Sequence, residues 1–300
     1  MENDQKPYHI PVLLDEVVQY MHQKPKGTYV DVTFGGGGHT KALLQAQPDC
    51  KVIALDWDSV ALEKNGQSLQ EIYPDRLTLV WGNFAQVDRH LKKIGIDAVD
   101  GILADFGTSQ YQISERAGFS FSKDSPLDMR MSPSQQKTTA AEVINKATEQ
   151  TLCDIFTFLG QEKKARAIAR AIVHERTRVS IISTKQLADL VENVVGGRGA
   201  KRIHPATQVF QALRMYVNKE TENIHAFLVN ATRTLKPGGR LLCISFHSLE
   251  DRAVKQFFKE REQLGDLIIT PKVVIPTDQE IARNPASRSA KLRVLERQAT

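Results

Sequence analysis

A run of glycines between a short apolar segment and a helical segment is the feature that most constrains the fold. The run GGGG follows YVDVTF and precedes HTKALLQAQ, and glycine permits the sharp turn that a strand, loop and helix in this order need. Three further apolar segments, KVIALD, LTLVWGNF and GILADF, alternate with helical patterns. This alternation predicts an α/β fold whose parallel sheet is covered by helices on both faces. Ligands of such sheets bind at the carboxyl ends of the strands, where the glycines lie.

The alternation stops after Phe106 and resumes near Thr221 with a helical pattern, the turn KPGG and the apolar segment RLLCISF. Because a strand-to-helix connection usually has about 2–6 residues, we predict an inserted helical domain here. We place the insertion at residues 111–216 and the sheet domain at residues 1–110 and 217–300, with KLRVLER as the last strand. Inside the insertion, one apolar stripe surrounds Ile168, and another follows Thr184, its expected cap, and ends at Gly196.

Acidic residues stand where the predicted strands end. Asp56 closes the second strand, where a carboxylate can accept hydrogen bonds from both hydroxyls of a ribose, an arrangement that nicotinamide-dependent oxidoreductases share. We expect the neighbouring Asp58 to be solvated. Asp105 closes the fourth strand, and by accepting N–H bonds it can draw the lone pair of an aromatic amine out of conjugation with the ring. The alternative for Asp105 is an ordinary strand-end or helix-capping role.

Basic residues are concentrated in the predicted insertion. The segment EKKARAIARAIVHERTRV carries Lys163, Lys164, Arg166 and Arg170, and GGRGAKRIHP adds Arg202. With a net charge of +5, such a surface suits a phosphate backbone. A solvated helix face is the alternative, because glutamates dilute the charge.

The cysteines and the apolar content of the first residues narrow the classes of protein and of site that remain. The three cysteines are widely spaced and show no paired or metal-ligand pattern, which predicts neither a disulfide framework nor a metal site. None of them follows a proline, which disfavours a cysteine nucleophile acting on carbon 5 of a pyrimidine. The first twenty residues hold no apolar stretch of signal or membrane length. We therefore expect a cytoplasmic protein with no membrane contact, no metal and no obligate protein partner.

Longer segments with a specific pattern cover nearly the whole chain: HIPVLLDE, DVTFGGGGHT, RAGFSFSKDSPLDMRM, HPATQVFQALRMYVNKE, LKPGGRLLCISFHSLEDRAVK and NPASRSAKLRVLER. In these segments the sequence resembles the ribosomal RNA small subunit methyltransferase H family, the MraW-type cytosine-N4 methyltransferases. The resemblance implies a Rossmann-like methyltransferase sheet with an inserted helical substrate-recognition domain. It also implies S-adenosylmethionine as the methyl donor and N4-methylation of a cytidine in the decoding region of 16S ribosomal RNA. The segment DFGTSQY departs from the family, which usually has DLGVSS followed by proline.

The resemblance also assigns roles to single residues by their position in the motifs. Asp56 would hold the ribose of the donor, Phe84 would flank its adenine unless it only packs in the core, and Asp105 would also face the reactive amine. The residues expected to bind the donor are Gly37, Gly38, His39, Asp56, Phe84, Asp105 and Gln112. The motif position of His247 would place it near the crevice. With the basic residues of the insertion described above, the residues expected to bind RNA are Lys163, Lys164, Arg166, Arg170, Arg202 and His247.

Two other functions are compatible with the same fold, since a fold does not fix a function. The KPGG turn and the DFGTS loop argue against a nicotinamide-dependent oxidoreductase. The joint presence of Gly37, Asp56 and Asp105 argues against a non-catalytic RNA-binding or assembly protein.

Overall fold

The computed structural model describes residues 10–21, 24–107, 117–196 and 204–299. The chain divides into two compact units. The first, which we call the sheet unit, comprises Met1–Ser109 and Thr221–Thr300, and the second, which we call the helical unit, comprises Gln110–Glu220. The limits of 111–216 for an inserted domain, and its role in substrate recognition, stay predictions.

The described part of the sheet unit contains a seven-stranded sheet. Its strands are β1 (Thr28–Asp31), β2 (Lys51–Asp56), β3 (Leu77–Trp81), β4 (Val99–Asp105), β5 (Leu235–Ser245), β6 (Leu267–Ile268) and β7 (Lys291–Glu296). They lie side by side in the order β3-β2-β1-β4-β5-β7-β6. Strands β1 to β5 pair in parallel, as predicted, but β7 runs antiparallel to both of its neighbours.

The α-helices of the described residues are, in chain order, α1 (Leu14–Met21), α2 (Gly38–Ala46), α3 (Ser59–Ala61), α4 (Gln67–Ile72), α5 (Val87–Lys93), α6 (Ala140–Lys146), α7 (Glu149–Asp154), α8 (Ala165–Arg176), α9 (Thr184–Val195), α10 (Thr207–Asn218), α11 (Glu220–Thr234), α12 (Ser248–Gln263) and α13 (Asp278–Arg283).

The direction of β7 follows from the order of the elements along the chain. Helix α12 carries the chain from β5 past the adjacent position to β6, and β7 then fills the gap between them in the opposite direction. Within the described ranges, no helix is both long enough and apolar enough to cross a bilayer.

Both faces of the sheet are buried. On one face Leu103 packs with Leu242 and with Leu43 of α2, and on the other Ile102 packs with Phe227 of α11. Burial on both faces explains why these strands are continuous apolar segments in the sequence. The segment KPGG lies inside β5, where the pairing register with β4 shifts and the chain bulges.

The helical unit has its own core. Ile168 of α8 is fully buried, which confirms the predicted stripe, and α9 ends at Gly196 with φ 89°. The expected cap of α9 is wrong by one residue. Ser183, and not Thr184, caps the helix, because its hydroxyl accepts from the Gln186 amide while the Gln186 side chain accepts from the Ser183 amide. Thr184 is buried.

Candidate active site

Three aspartates stand at the carboxyl ends of neighbouring strands: Asp31 ends β1, Asp56 ends β2 and Asp105 ends β4. The order of the strands reverses between β1 and β4, and a doubly wound sheet binds its ligand at such a reversal. Asp31 lies opposite Leu103, and Asp105 lies opposite Ile244. Both acids therefore project on the face of the sheet that α2 covers.

The glycine loop joins β1 to α2 and is shaped by its protein neighbours. Gly37 adopts φ 75° at the start of α2, and a Cβ atom there would lie 2.8 Å from the ring of Phe34. A Cβ atom on Gly38 would lie 2.9 Å from Pro11. Packing alone thus requires both glycines. Gly37 makes no side-chain capping bond, and the first amides of a helix have no acceptor within the helix, so they can bind a ligand. The predicted contact of these glycines with the donor stays a prediction.

Asp56 ties the glycine loop to the end of β2. Its Oδ2 accepts from the amide of Gly35 at 2.7 Å, and its Oδ1 accepts from the amide of Asp58 at 2.8 Å. Burial raises the pKa of Asp56 to about 7. Each carboxylate oxygen can accept a second hydrogen bond, so the group remains competent to hold two ribose hydroxyls.

Asp58 is not solvated, contrary to the expectation from sequence. It is 2% exposed, and its carboxylate accepts from the amide of Val60 at 3.0 Å. This bond caps the first turn of α3, and helix capping is a common reason for an acid to be buried at a strand-to-helix junction.

Asp105 is fixed by its backbone and has a free side-chain oxygen. Its amide donates to the Thr33 hydroxyl at 2.7 Å. Its side chain is 13% exposed, and Oδ2 lies 4.0 Å from Nδ1 of His39. Oδ1 is buried and has no hydrogen-bond partner among the residues that the structure describes. A buried acceptor without a partner costs about 1–3 kcal/mol, so such an atom calls for a functional explanation.

The charges around Asp105 modify its acidity. Burial is the main cause that raises the pKa of Asp105 to about 6. Asp31 and Glu250 add to this rise, while His39 and a hydrogen bond from the Gly107 backbone oppose it. A carboxyl group with this pKa is largely ionised at neutral pH, and the ionised form can accept a hydrogen bond from an amine.

Asp31 is a site residue that the sequence analysis missed. It is 1% exposed, and it accepts from the Thr40 hydroxyl at 2.7 Å and from the Thr33 amide at 3.1 Å. Burial raises its pKa, and the nearby His39 opposes that rise. The available signal was an acid that closes the first strand directly before the glycine run.

Comparison with known proteins assigns this site to a family. The sequence profile of the MraW methylase family matches residues 6–298. The chain belongs to this family. Ribosomal RNA small subunit methyltransferase H of Thermomicrobium roseum is 44% identical over 316 aligned residues, which cover 99% of this chain and 96% of the relative. The protein of the same name from Cyanothece sp. is 45% identical over 290 residues, which cover 96% of this chain and 94% of the relative.

Among solved structures, an rRNA methylase from Streptococcus thermophilus aligns over 99% of both chains with 12% identity and a TM-score of 0.46. A likeness of this degree adds nothing to the family assignment. Membership of the MraW methylase family, together with the observed sheet, confirms the family and the Rossmann-like fold class that the motifs implied.

Phe84 of this MraW-family chain lies in the 3-10 turn Phe84–Gln86 that follows β3. Its ring centroid is 5.9 Å from that of Phe106 and 5.6 Å from that of Phe227, in tilted and edge-to-face arrangements. These contacts show the core packing that was the alternative for Phe84. Its contact with adenine stays a prediction.

His247 directly precedes α12 and caps it. Its Nδ1 accepts from the amide of Glu250 at 3.4 Å, and the Glu250 carboxylate accepts from the amides of His247 and Phe246. This reciprocal capping gives His247 a structural role that its sequence position did not indicate. Its proposed contact with RNA stays a prediction.

The cations predicted to bind RNA lie on the surface of the helical unit where the structure describes them: Lys163, Lys164, Arg166 and Arg170 are exposed. Lys164 donates to the carbonyl of Val195 at 3.2 Å. Arg170 lies 3.7 Å from the carboxylate of Glu149. Gln112, predicted for the donor pocket, and Arg202, predicted for RNA, lie outside the described residues.

Proposed function

We propose that this chain transfers the methyl group of S-adenosylmethionine to the exocyclic N4 of one cytidine in the decoding region of 16S ribosomal RNA, within the small ribosomal subunit in the cytoplasm. The names of its curated relatives support a substrate in small-subunit ribosomal RNA, and their similarity extends over nearly the full length of the chain. The base, its reactive atom and its region of the RNA follow from the motif resemblance given above.

The observation that carries this proposal is Oδ1 of Asp105, a buried acceptor without a partner among the residues that the structure describes. The lone pair of an aromatic amine is conjugated with the ring, so the nitrogen is a poor nucleophile until its N–H bonds are held by acceptors. Oδ1 of Asp105 is buried at the end of β4 and lacks a partner among the described residues. A cytosine amine placed there would donate to Oδ1. The nitrogen would form its new bond to the methyl carbon as the carbon–sulfur bond of the donor breaks with its electron pair passing to sulfur, and Asp105 would accept the proton that leaves the nitrogen.

The residues around the reversal of strand order fit S-adenosylmethionine, which supplies an electrophilic methyl group when it is bound. Asp56 keeps acceptor capacity on both carboxylate oxygens and would hold the ribose hydroxyls. The loop at Gly37 and Gly38 brings the amide groups of the first turn of α2 to the same edge of the sheet, where they would bind the donor. The helical unit contributes a cationic surface that would hold the RNA backbone.

Incubation with labelled methyl donor and immature small subunits, followed by nucleoside analysis, tests the proposal. We expect the label in N4-methylcytidine. In parallel calorimetry, Asp56→Ala should weaken donor binding by about 2–4 kcal/mol because two hydrogen bonds to a buried carboxylate are lost. Asp105→Asn should bind the donor almost normally and lose turnover.

Three results would overturn the proposal. The first is label in another base, or in none, with folded wild-type protein. The second is full turnover by Asp105→Asn. The third is saturable NAD binding without any response to the methyl donor, which would support an oxidoreductase instead.

A further inference from the structure

His39 is a buried histidine with one ring nitrogen engaged and the other aimed at Asp105. It lies in the first turn of α2 and is 6% exposed. Nε2 lies 2.9 Å from the carbonyl oxygen of Val12. A carbonyl can only accept, so Nε2 carries a proton, and Nδ1 is left to face Oδ2 of Asp105 at 4.0 Å.

The bond to Val12 would be sufficient if His39 were only a structural residue. It uses one nitrogen and does not explain why the second nitrogen is buried beside a carboxylate whose other oxygen has no partner. Asp105 and His39 are also surrounded by further acids. Asp31 of β1 acts on both residues, and Glu250 of α12 acts on Asp105. These acids favour the protonated form of Asp105, whereas His39 and the Gly107 backbone oppose them and lower the pKa of Asp105.

We infer that His39 is a positioning residue for the methyl transfer: its ring, which lies beside Oδ2, favours the ionised form of the Asp105 carboxyl group, and this form accepts the N–H of the target amine. The inference rests on the proposed function. In the reaction the amine nitrogen forms a bond to the methyl carbon as the carbon–sulfur bond of S-adenosylmethionine breaks and its electron pair passes to sulfur, so that S-adenosylhomocysteine leaves. One N–H bond breaks with its electron pair remaining on nitrogen, and the proton passes to Asp105. His39 acts through Asp105, by favouring the form of its carboxyl group that can accept this proton.

Two substitutions that change the charge around Asp105 in opposite directions test the inference. His39→Gln removes the ionisable ring and keeps a side-chain N–H for the Val12 carbonyl. It should raise the pKa of Asp105. Asp31→Asn removes a negative charge and keeps an acceptor for the Thr33 amide, and it should lower the pKa of Asp105.

Two measurements follow these changes. The first is the pH dependence of single-turnover methyl transfer at saturating donor, where the acid limb should move to higher pH in His39→Gln by about 1–3 pH units and to lower pH in Asp31→Asn. The second needs no reaction. It is the titration of the Asp105 carboxyl carbon by NMR in protein labelled with ¹³C-aspartate, assigned with Asp105→Asn.

The outcomes separate the inference from the proposed function. If wild type and His39→Gln show the same Asp105 titration and the same acid limb, the inference is overturned although methylation continues. If wild type methylates no RNA, the proposed function fails, and the carboxyl titration still decides whether His39 controls Asp105. His39→Asn serves as a second uncharged variant in case His39→Gln does not fold.

Discussion

Replacing Asp105 by asparagine should stabilise the protein at high pH while it removes activity. The pKa of Asp105 is raised from 3.8 to about 6, mainly by burial. The native protein therefore keeps this proton to a higher pH than the unfolded chain does. The stability that the protonated group provides is complete below about pH 4 and is lost as the pH rises through 6.

The size of the effect follows from the two pKa values. Each pH unit between them is worth about 1.4 kcal/mol, so the ionised carboxylate destabilises the native state by about 3 kcal/mol at pH 8. Asparagine has nearly the same shape and carries no charge at any pH. The free energy of unfolding of Asp105→Asn, relative to wild type, should thus increase by about 3 kcal/mol between pH 4 and pH 8.

Urea unfolding followed by tryptophan fluorescence measures this difference in the sheet unit, because the only two tryptophans, Trp57 and Trp81, both belong to it.

Asp100 supplies a control of opposite sign. It accepts from Lys236 at 2.8 Å and from the Thr28 amide at 2.9 Å. These bonds outweigh its burial and lower its pKa. Asp100→Asn should therefore be less stable than wild type by a nearly constant amount from pH 8 to about pH 4, and this deficit should shrink only below pH 4, as the native carboxyl group becomes protonated.

A stability difference between Asp105→Asn and wild type that stays constant from pH 4 to pH 8 would refute this reasoning. This result would mean that burial does not disfavour the charge on Asp105.

Two further predictions concern the glycine loop and the helical unit. Gly37→Ala should lower the free energy of unfolding by about 1–2 kcal/mol because the backbone is left-handed at this position. It should lower it by about 1–3 kcal/mol more because the new Cβ atom would lie 2.8 Å from the ring of Phe34. Urea unfolding measures the sum of the two losses. A Lys163→Glu, Arg166→Glu double variant should bind RNA less tightly, with a log–log salt dependence shallower by about two units, because about one phosphate contact is lost per cation. The free energy of unfolding of this double variant should equal that of wild type, because both side chains are exposed.

Each of these predictions has a matched control. Gly95 has φ 77° and open space around its missing Cβ atom, so Gly95→Ala should show only the backbone loss. Equal losses at the two glycines would contradict the contact with Phe34. Lys146 and Lys185 are exposed cations of the same unit, each paired with an acid one turn away. If their double replacement by glutamate weakened RNA binding as much as the Lys163 and Arg166 pair does, the effect would be one of net charge alone.

Sequence reasoning located the strands and the loop because buried parallel strands are continuous apolar segments and because glycine runs are rare. It missed Asp31 and Glu250, since their closeness to Asp105 depends on which strands are neighbours in the sheet and on where α12 begins. It also misjudged Asp58, whose burial follows from a capping bond. The direction of β7 could not be predicted from its apolar residues, because an antiparallel strand buried on both faces has the same composition as a parallel one.

The place of β7 in the sheet has a consequence for synthesis of the chain. It is the last strand of the described chain, yet it lies between β5 and β6, which are made earlier. Until Lys291–Glu296 has been translated, β5 presents an unpaired edge, and such edges pair with other chains. A product that terminates before Lys291 would therefore aggregate or be degraded. Correct folding of this sheet therefore requires translation through Glu296, independently of the active site.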